Sequence, residues 1–319
     1  MAGKTLGICV LGGTGFVGTE LVTRLADAGH VVRVPTRHIT HGLHLRVLPT
    51  VELVVANVHS PGALGQLFNS MDVVINLVGI LNEGGGRGSF RGAHSELAGK
   101  VVEAMRATRV TRLLHMSSLG AGAQAPSQYL RTKGEAEALV RVSAATLEAT
   151  VLRPSVIFGP RDSLTNRFAG LLRLSRGVLP LARPHARFAP VYVHDVVEAF
   201  VRALNNRETC GKSYELCGPD VMTLEELVRI TASAAGLPCH VIGLPDFIAW
   251  MQAVVMNFVP GKPFSTDNFR SLSVDSVCKQ DGCAALGITP RRMEAVVPGY
   301  LTDRSVKQKF DSYRKTRLR

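Results

Sequence analysis

Tyr129 and Lys133 stand four residues apart at the start of a helically patterned stretch, shortly after an apolar run that ends at Met116. That spacing puts the phenol and the ammonium on one helix face. An ammonium beside a phenol favours the phenolate and draws its pKa toward a range in which the hydroxyl can give and take a proton. The same lysine could also donate to a ribose hydroxyl. A second constellation opens the chain. Residues 6–18 read Leu-Gly-Ile-Cys-Val-Leu-Gly-Gly-Thr-Gly-Phe-Val-Gly, an apolar run ending in a glycine cluster, after which Phe16, Val17, Leu21, Val22 and Leu25 recur at helical spacing. Gly12 and Gly13 permit a tight turn, Gly15 lets a pyrophosphate approach the backbone, and Gly18 lets the helix lie close on the strand. The free N–H groups and the dipole at the helix start favour an anion there.

These residues need a scaffold that brings strand ends together. Apolar runs at 31–36, 51–56, 72–78, 111–116 and 150–154 alternate with helical patterns at 16–28, 60–70, 89–109 and 127–145. Alternation of this kind predicts an α/β fold, a doubly wound parallel sheet of the Rossmann type covered on both faces. Past residue 155 the rhythm breaks: Gly159, Pro160, Gly177, Pro180, Pro184 and Pro190 predict loops and short helices. Regular structure resumes with a helix at 193–204, a strand at 213–217 and a helix at 224–235. The division expected is a dinucleotide-binding domain over 1–160, rejoined by about 188–217. A smaller discontinuous C-terminal lobe would take 161–187 and 218–300, and a basic tail 301–319.

Phe247, Trp250, Met251, Val254, Val255 and Phe258 form one broad apolar stripe, opposite a weakly polar face of Ala249, Gln252, Ala253 and Asn257. The stripe predicts a helix packed by that face inside the small lobe. The rival reading is a partly exposed face that meets a partner or a membrane surface.

The chain has 319 residues, 46% hydrophobic and 19% charged, which is the composition of a globular protein and not of a disordered one. The first strand follows Met1 so closely that no secretory leader is expected, and no apolar stretch reaches the ~20 residues of a bilayer span. A cytoplasmic protein is expected. None of the six cysteines forms a C-x-x-C pair, so reduced thiols are expected. The net charge of +12 comes mainly from scattered arginines, and with a single Trp and no nucleic-acid module it does not point to nucleic acid. The charge concentrates only in residues 304–319, with seven basic residues and one acid: a solvated tail, or one that docks on anionic lipid or an acidic partner. His38, His41 and His44 have no accompanying Cys or carboxylate cluster, so no metal is expected.

Taken together, Gly-Gly-Thr-Gly-Phe-Val-Gly, Asn76-Leu-Val-Gly79, Tyr129-x-x-x-Lys133, Arg153-Pro154-Ser-Val-Ile-Phe-Gly-Pro160 and Val191-Tyr-Val-His-Asp195 resemble the extended short-chain dehydrogenase/reductases, in the family's order. Ser127 to Glu137, Ser155 to Asp162, Asn166-Arg-Phe168 and the 246–270 segment are similar, more narrowly, to the short-chain-dehydrogenase-like accessory subunits of respiratory complex I. The resemblance implies a nicotinamide dinucleotide lying across the strand ends. It sets the cofactor against Gly12, Gly13, Thr14, Gly15, Phe16, Val17, Gly18, Arg37, Asn57, Val58, Val78, Gly79, Ser117, Tyr129, Lys133 and Pro154. Catalysis, if it is retained, falls to Tyr129, Lys133 and Ser118. The accessory-subunit likeness implies a tightly held NADPH without established turnover, in a respiratory assembly at the inner face of the membrane, with 246–259 and the 304–319 tail as docking surfaces. The broader likeness implies a working oxidoreductase or epimerase.

Two details refine this. Extended enzymes carry a Ser or Thr just past the fifth strand to bond the reacting oxygen. Here Leu119 takes that position in His115-Met-Ser117-Ser118-Leu119, leaving Ser118 as the substitute. At the end of the second strand, where NAD-preferring proteins place an acid for the ribose diol, this chain reads Thr36-Arg37-His38. A guanidinium suits a 2′-phosphate, so NADP(H) is expected ahead of NAD(H).

Overall fold

Strands flanked on both faces by helices are apolar along most of their length, as Ile8–Leu11 and Val73–Ile75 are in this chain. The computed structural model describes residues 4–83, 88–259 and 262–301, so the basic tail lies outside the described residues. The order begins β1 (Gly7–Leu11), α1 (Phe16–Asp27), β2 (Val31–Thr36), β3 (Val51–Val55), α2 (Ala63–Phe68) and β4 (Val73–Asn76). It continues with α3 (Leu97–Thr108), β5 (Arg112–Met116), α4 (Gln128–Val142) and β6 (Glu148–Pro154). After these come β7 (Ile157–Phe158), α5 (Thr165–Leu174), β8 (Val178–Ala182), β9 (Arg187–Phe188), β10 (Val191–Tyr192), α6 (Val193–Asn205), β11 (Ser213–Leu216) and β12 (Met222–Thr223). Last are α7 (Leu224–Ala235), β13 (His240–Leu244), α8 (Asp246–Met256), α9 (Thr266–Ser271), α10 (Gly282–Ala285), α11 (Met293–Val296) and α12 (Pro298–Leu301).

Seven strands form one sheet in the order β11-β6-β5-β4-β1-β2-β3. Every pairing in it is parallel. The order reverses between β1 and β4, the switch point at which open sheets of this kind bind ligands. Register fixes the rim of that crevice, since Leu11 pairs with Asn76, Asn76 with His115 and His115 with Val151. On one face Leu64, Leu67 and Phe68 of α2, Leu97, Val101 and Met105 of α3 and Val140 of α4 close over Cys9, Leu11, Val74 and Leu113. Each such side chain contributes about 1.5–3 kcal/mol by leaving water. Burial also pushes the Cys9 thiol up to about 12. Ser127 starts α4 by accepting the Leu130 N–H at 3.2 Å. Glu137 then ties α4 to β6 by accepting Arg153 Nε at 2.8 Å.

The chain divides into two units, the first comprising 1–155, 193–216 and 278–289 and the second 156–192, 217–277 and 290–319. Residues 278–289, read from sequence as part of the small lobe, therefore go with the first unit. Glu215 of β11 accepts the backbone N–H groups of Lys279 and Gln280, and α10 lies so close that a Cβ on Gly282 would meet the Glu215 carbonyl at 2.4 Å.

The second unit holds a helix and a strand in the stretch expected to be loops and short helices. β8 pairs in parallel with β13, and its Pro180 sits opposite Ile242. Proline reads as a strand breaker, but in a two-stranded sheet its missing N–H can face away from the single partner. Helices α5 and α7 supply Leu172, Leu224, Val228 and Ala232 to the core over β8.

Helix α8 is present where the stripe predicts it, but it packs the other way round. The fully buried residues are Ala249 and Ala253, set against Ala182 and Phe269, while Phe247 is 70% and Val255 65% exposed. The small side chains let the helix axis approach its neighbours and leave the large ones facing outward. The cysteine expectation is corrected as well. Cys217 and Cys278 are disulfide-bonded, and Cys9, Cys210, Cys239 and Cys283 are in no disulfide. Neither bonded cysteine sits in a C-x-x-C pair, so no local spacing announces it.

Candidate cofactor and active site

The first unit carries every residue of the expected site. Gly12 adopts φ +79°, a left-handed turn that needs glycine. Gly15 then serves as N-cap of α1 with extended backbone, no side-chain cap and no acid in the first turn. The Gly15 N–H goes to the Gly12 carbonyl and the Thr19 N–H to the Gly15 carbonyl, so the N–H groups of Phe16, Val17 and Gly18 are left without a helical partner just past an exposed glycine, which suits a pyrophosphate. Thr14 and Phe16 flank this turn, half-buried, and Val17 is buried beneath it.

Arg37, directly after β2, is exposed and makes no ion pair or hydrogen bond among the described residues. The following turn, Ile39–Leu45, is held by Thr36 Oγ1 donating to the His38 carbonyl at 2.9 Å and by Thr19 Oγ1 paired with His44 Nε2 at 3.1 Å. Among the described residues no group of His, Cys, Asp and Glu has the arrangement of a metal site. Asn57 turns its carboxamide oxygen to the His59 N–H at 3.1 Å, and Val58 packs against the α2–α3 core.

At the next strand ends the buried polar groups converge. Asn76 Oδ1 accepts the Val78 N–H at 3.1 Å, which aims Asn76 Nδ2 at His115 Nδ1, 3.4 Å away. His115 Nε2 therefore carries the imidazole proton. This nitrogen and Ser117 Oγ are buried without a hydrogen-bond partner among the described residues. Buried polar atoms left like this suit a polar ligand or bound water. Burial pushes His115 down to about 3, with the Lys133 ammonium adding to the effect.

Lys133 is buried, 2% exposed, and its Nζ donates to the carbonyls of Met116 at 3.0 Å and Val78 at 3.3 Å. A Cβ on Gly79 would meet that nitrogen at 3.1 Å, so glycine is what admits the ammonium. Burial draws Lys133 down to about 8. Pro154 ends β6 and accepts the Leu119 N–H at 2.9 Å.

Ser118, and not buried Leu119, hydrogen-bonds the Tyr129 hydroxyl. The phenol is not lowered as the Tyr–Lys spacing suggests. Desolvation raises its pKa, the Ser118 bond opposes that, and the ammonium is engaged with backbone carbonyls.

The residue that spacing did not reveal is His94. A single π turn, Gly92–Glu96, delivers it to the site ahead of α3. Its Nε2 accepts the Ile80 N–H at 3.2 Å, which leaves the proton on Nδ1, 2.9 Å from Thr132 Oγ1. Its ring meets Tyr129 edge-on with centroids 5.4 Å apart, and Phe90 stacks behind it at 5.8 Å. Burial first, then the charge of Lys133, pushes His94 down to about 3. A neutral imidazole thus fixes both the loop after β4 and the face of the tyrosine.

A parallel sheet with this switch point, a glycine turn at an uncapped helix and a Ser–Tyr–Lys set beside it defines a Rossmann protein of the short-chain dehydrogenase type. The chain belongs to the NAD dependent epimerase/dehydratase family, whose profile matches residues 8–217. It is 34% identical over 276 residues to the NADH dehydrogenase [ubiquinone] 1 alpha subcomplex subunit 9, mitochondrial, of Arabidopsis thaliana, covering 84% of this chain and 68% of that one. It is 31% identical over 241 residues to a ceramide reductase of Caulobacter vibrioides, covering 75% and 74%. In structure it is similar to Pal from Bacillus thuringiensis, with TM-score 0.75 and 17% identity over 95% of this chain and 99% of that one. Nicotinamide dinucleotide binding is the family's defining property, and the α1 turn and the groups around Lys133 fit it.

Proposed function

We propose that this protein holds NADP(H) tightly, as an accessory redox module of a respiratory NADH:quinone oxidoreductase-like assembly at the inner face of the membrane. The observation that carries the cofactor reading is the mouth of the β1–β2 crevice. There, the uncapped α1 follows β1 and the exposed Arg37 follows the neighbouring strand β2, and the Thr36-Arg37-His38 segment holds no carboxylate to receive a bare ribose. The identity with the plant subunit supports the respiratory link. In this reading Gly12 to Gly18 receive the pyrophosphate, Arg37 the 2′-phosphate and Asn57 and Val58 the adenine. Val78, Gly79, Ser117, Pro154, Tyr129 and Lys133 enclose the nicotinamide half. When bound, the nicotinamide supplies or accepts a hydride.

Nucleotide released by denaturing protein purified without added cofactor, and identified by mass spectrometry, tests the reading. Near-stoichiometric NADPH is expected, and an empty protein or bound NADH would defeat it. Arg37→Ala should weaken NADPH by about 1–3 kcal/mol and leave NADH nearly unchanged, as befits loss of a charge-assisted contact. Equal losses for both nucleotides, measured by titration calorimetry, would remove the phosphate assignment.

A second reading has its own support in the Ser118–Tyr129 hydrogen bond and the identity with a reductase. There Tyr129 is the general acid/base, Ser118 orients the reacting oxygen and Lys133 holds the ribose. Tyr129→Phe should then keep nucleotide affinity and lose roughly 10²–10⁴-fold in turnover. A mutant reacting at the wild-type rate would exclude the acid/base role.

A further inference from the structure

Helix α8 is built inside out. It rests on Ala249 and Ala253, and turns Phe247, Ile248, Trp250, Met251 and Val255 to the outside. Phe258, just past its end, is 86% exposed. From 247 to 259 there is no ionisable side chain. An ordinary surface helix shows the opposite arrangement, and an apolar face this continuous marks a docking surface.

The residues around the face point to what covers it. Arg183, bonded to Asp246 at 3.1 Å, stacks over the Phe269 ring at 4.3 Å. Lys262 comes three residues after Val259, and Arg167 reaches the Pro263 carbonyl at 2.7 Å. Arg270 stands exposed on α9, which packs beside α8. Against these four cations stand Asp246 and Asp267. An open cleft of about 710 Å³ at the N-terminal end of α8 sets Arg183 and His185 next to Leu244 and Leu272. At 11 residues α8 is about 16 Å long, roughly half of a bilayer's hydrocarbon thickness. No described helix is long and apolar enough to cross a membrane. A short uncharged row rich in Phe and Trp, rimmed by cations, has the chemistry of a helix that lies in the headgroup region of an anionic bilayer.

We propose that α8 and the turn after it form an in-plane anchor for anionic lipid, with Phe247, Trp250, Val255 and Phe258 entering the acyl boundary and Arg167, Arg183, Lys262 and Arg270 meeting phosphate headgroups. This deepens the membrane-side placement proposed above, and it is tested separately from the cofactor reading.

Trp250 is the chain's single tryptophan and lies on this face, so its emission reports directly. The full chain is titrated with vesicles of phosphatidylglycerol mixed with phosphatidylcholine, and with phosphatidylcholine alone. A blue shift with the anionic vesicles, quenched by brominated acyl chains and suppressed by salt, is the expected result. The double variant Phe247→Ser/Phe258→Ser, which keeps the reporter and alters only exposed positions, should bind vesicles roughly tenfold or more weakly, from the loss of two phenyl rings to bury. Its retained NADPH, measured on the same samples, should match wild type. A lower value would mean that the variant disturbs the first unit and would leave the emission of the unmodified chain to decide.

No shift with either vesicle, or equal shifts with both, would overturn the proposal. So would unchanged binding by the double variant. A shift that grows with protein concentration in the absence of lipid would assign the face to a second copy of the chain.

Discussion

Lys133→Met is expected to stabilise the nucleotide-free protein by about 2 kcal/mol at pH 7 while stripping it of bound nucleotide. The ammonium is 2% exposed and meets only two backbone carbonyls, with no carboxylate bonded to it among the described residues. Burial lowers its pKa from 10.5 to about 8. At about 1.4 kcal/mol per pKa unit, keeping the charge inside costs roughly 3 kcal/mol at neutral pH. Methionine fills a similar volume without the charge, and the two carbonyls that lose their donor return about 1 kcal/mol of that gain. The pH dependence follows from the sign of the shift. Because the folded pKa lies below the unfolded one, the unfolded chain binds more protons between pH 8 and 10.5, so wild-type stability rises with pH across that window. The variant's advantage should be complete below pH 8 and vanish by about 10.5. Denaturant unfolding at several pH values checks it. A variant no more stable than wild type at pH 7, or an advantage that ignores pH, would refute the idea that this lysine is kept at a cost in stability for its place at the nucleotide.

Much of the site was legible because it depends on local geometry. The glycine turn, the helix after it and the four-residue Tyr–Lys interval are properties of short segments, and the structure places them at adjoining strand ends. What the sequence left hidden depends on contacts between distant residues. Lys133 faces Tyr129 in a helical-wheel argument, yet its ammonium is held by carbonyls 17 and 55 residues away in sequence. His94 looks like a lone histidine in a helix until the loop after β4 folds back so that Ile80 can donate to it. The 246–258 stripe identified a helix and its two faces correctly. Hydropathy alone could not say that a pair of alanines, and not the aromatic row, would be buried, because that depends on how closely Ala182 and Phe269 approach. Pro180 concealed β8 for a related reason, since a strand with only one partner can turn a missing N–H away from it.

Gly18→Ala and Gly15→Ala should separate the two tasks of the glycine turn. A Cβ at Gly18 would meet the Gly12 carbonyl oxygen at 2.2 Å and the Gly13 carbonyl carbon and Cα at 2.7 Å. These are backbone atoms of a turn fixed by Gly12 at φ +79° and by the Gly15 N–H donating to the Gly12 carbonyl at 3.0 Å, so no side chain can swing away. Relief requires α1 to lift from β1, at a cost of about 3 kcal/mol in stability, and nucleotide binding is lost with the geometry. At Gly15 the backbone is ordinary, with φ −79° and ψ −177°, and an added Cβ meets only the Gly12 oxygen at 3.2 Å. Stability should change by less than about 1 kcal/mol. The methyl group would nonetheless stand in front of the uncapped N–H groups, where the pyrophosphate must come close, and a loss of about 2 kcal/mol, roughly thirtyfold in affinity, is expected. Thermal unfolding of both variants, with NADPH titration of the Gly15 variant, makes the comparison. A Gly18 variant as stable as wild type would contradict the close approach of helix and turn. A Gly15 variant that binds NADPH at full affinity would place the pyrophosphate somewhere other than the start of α1.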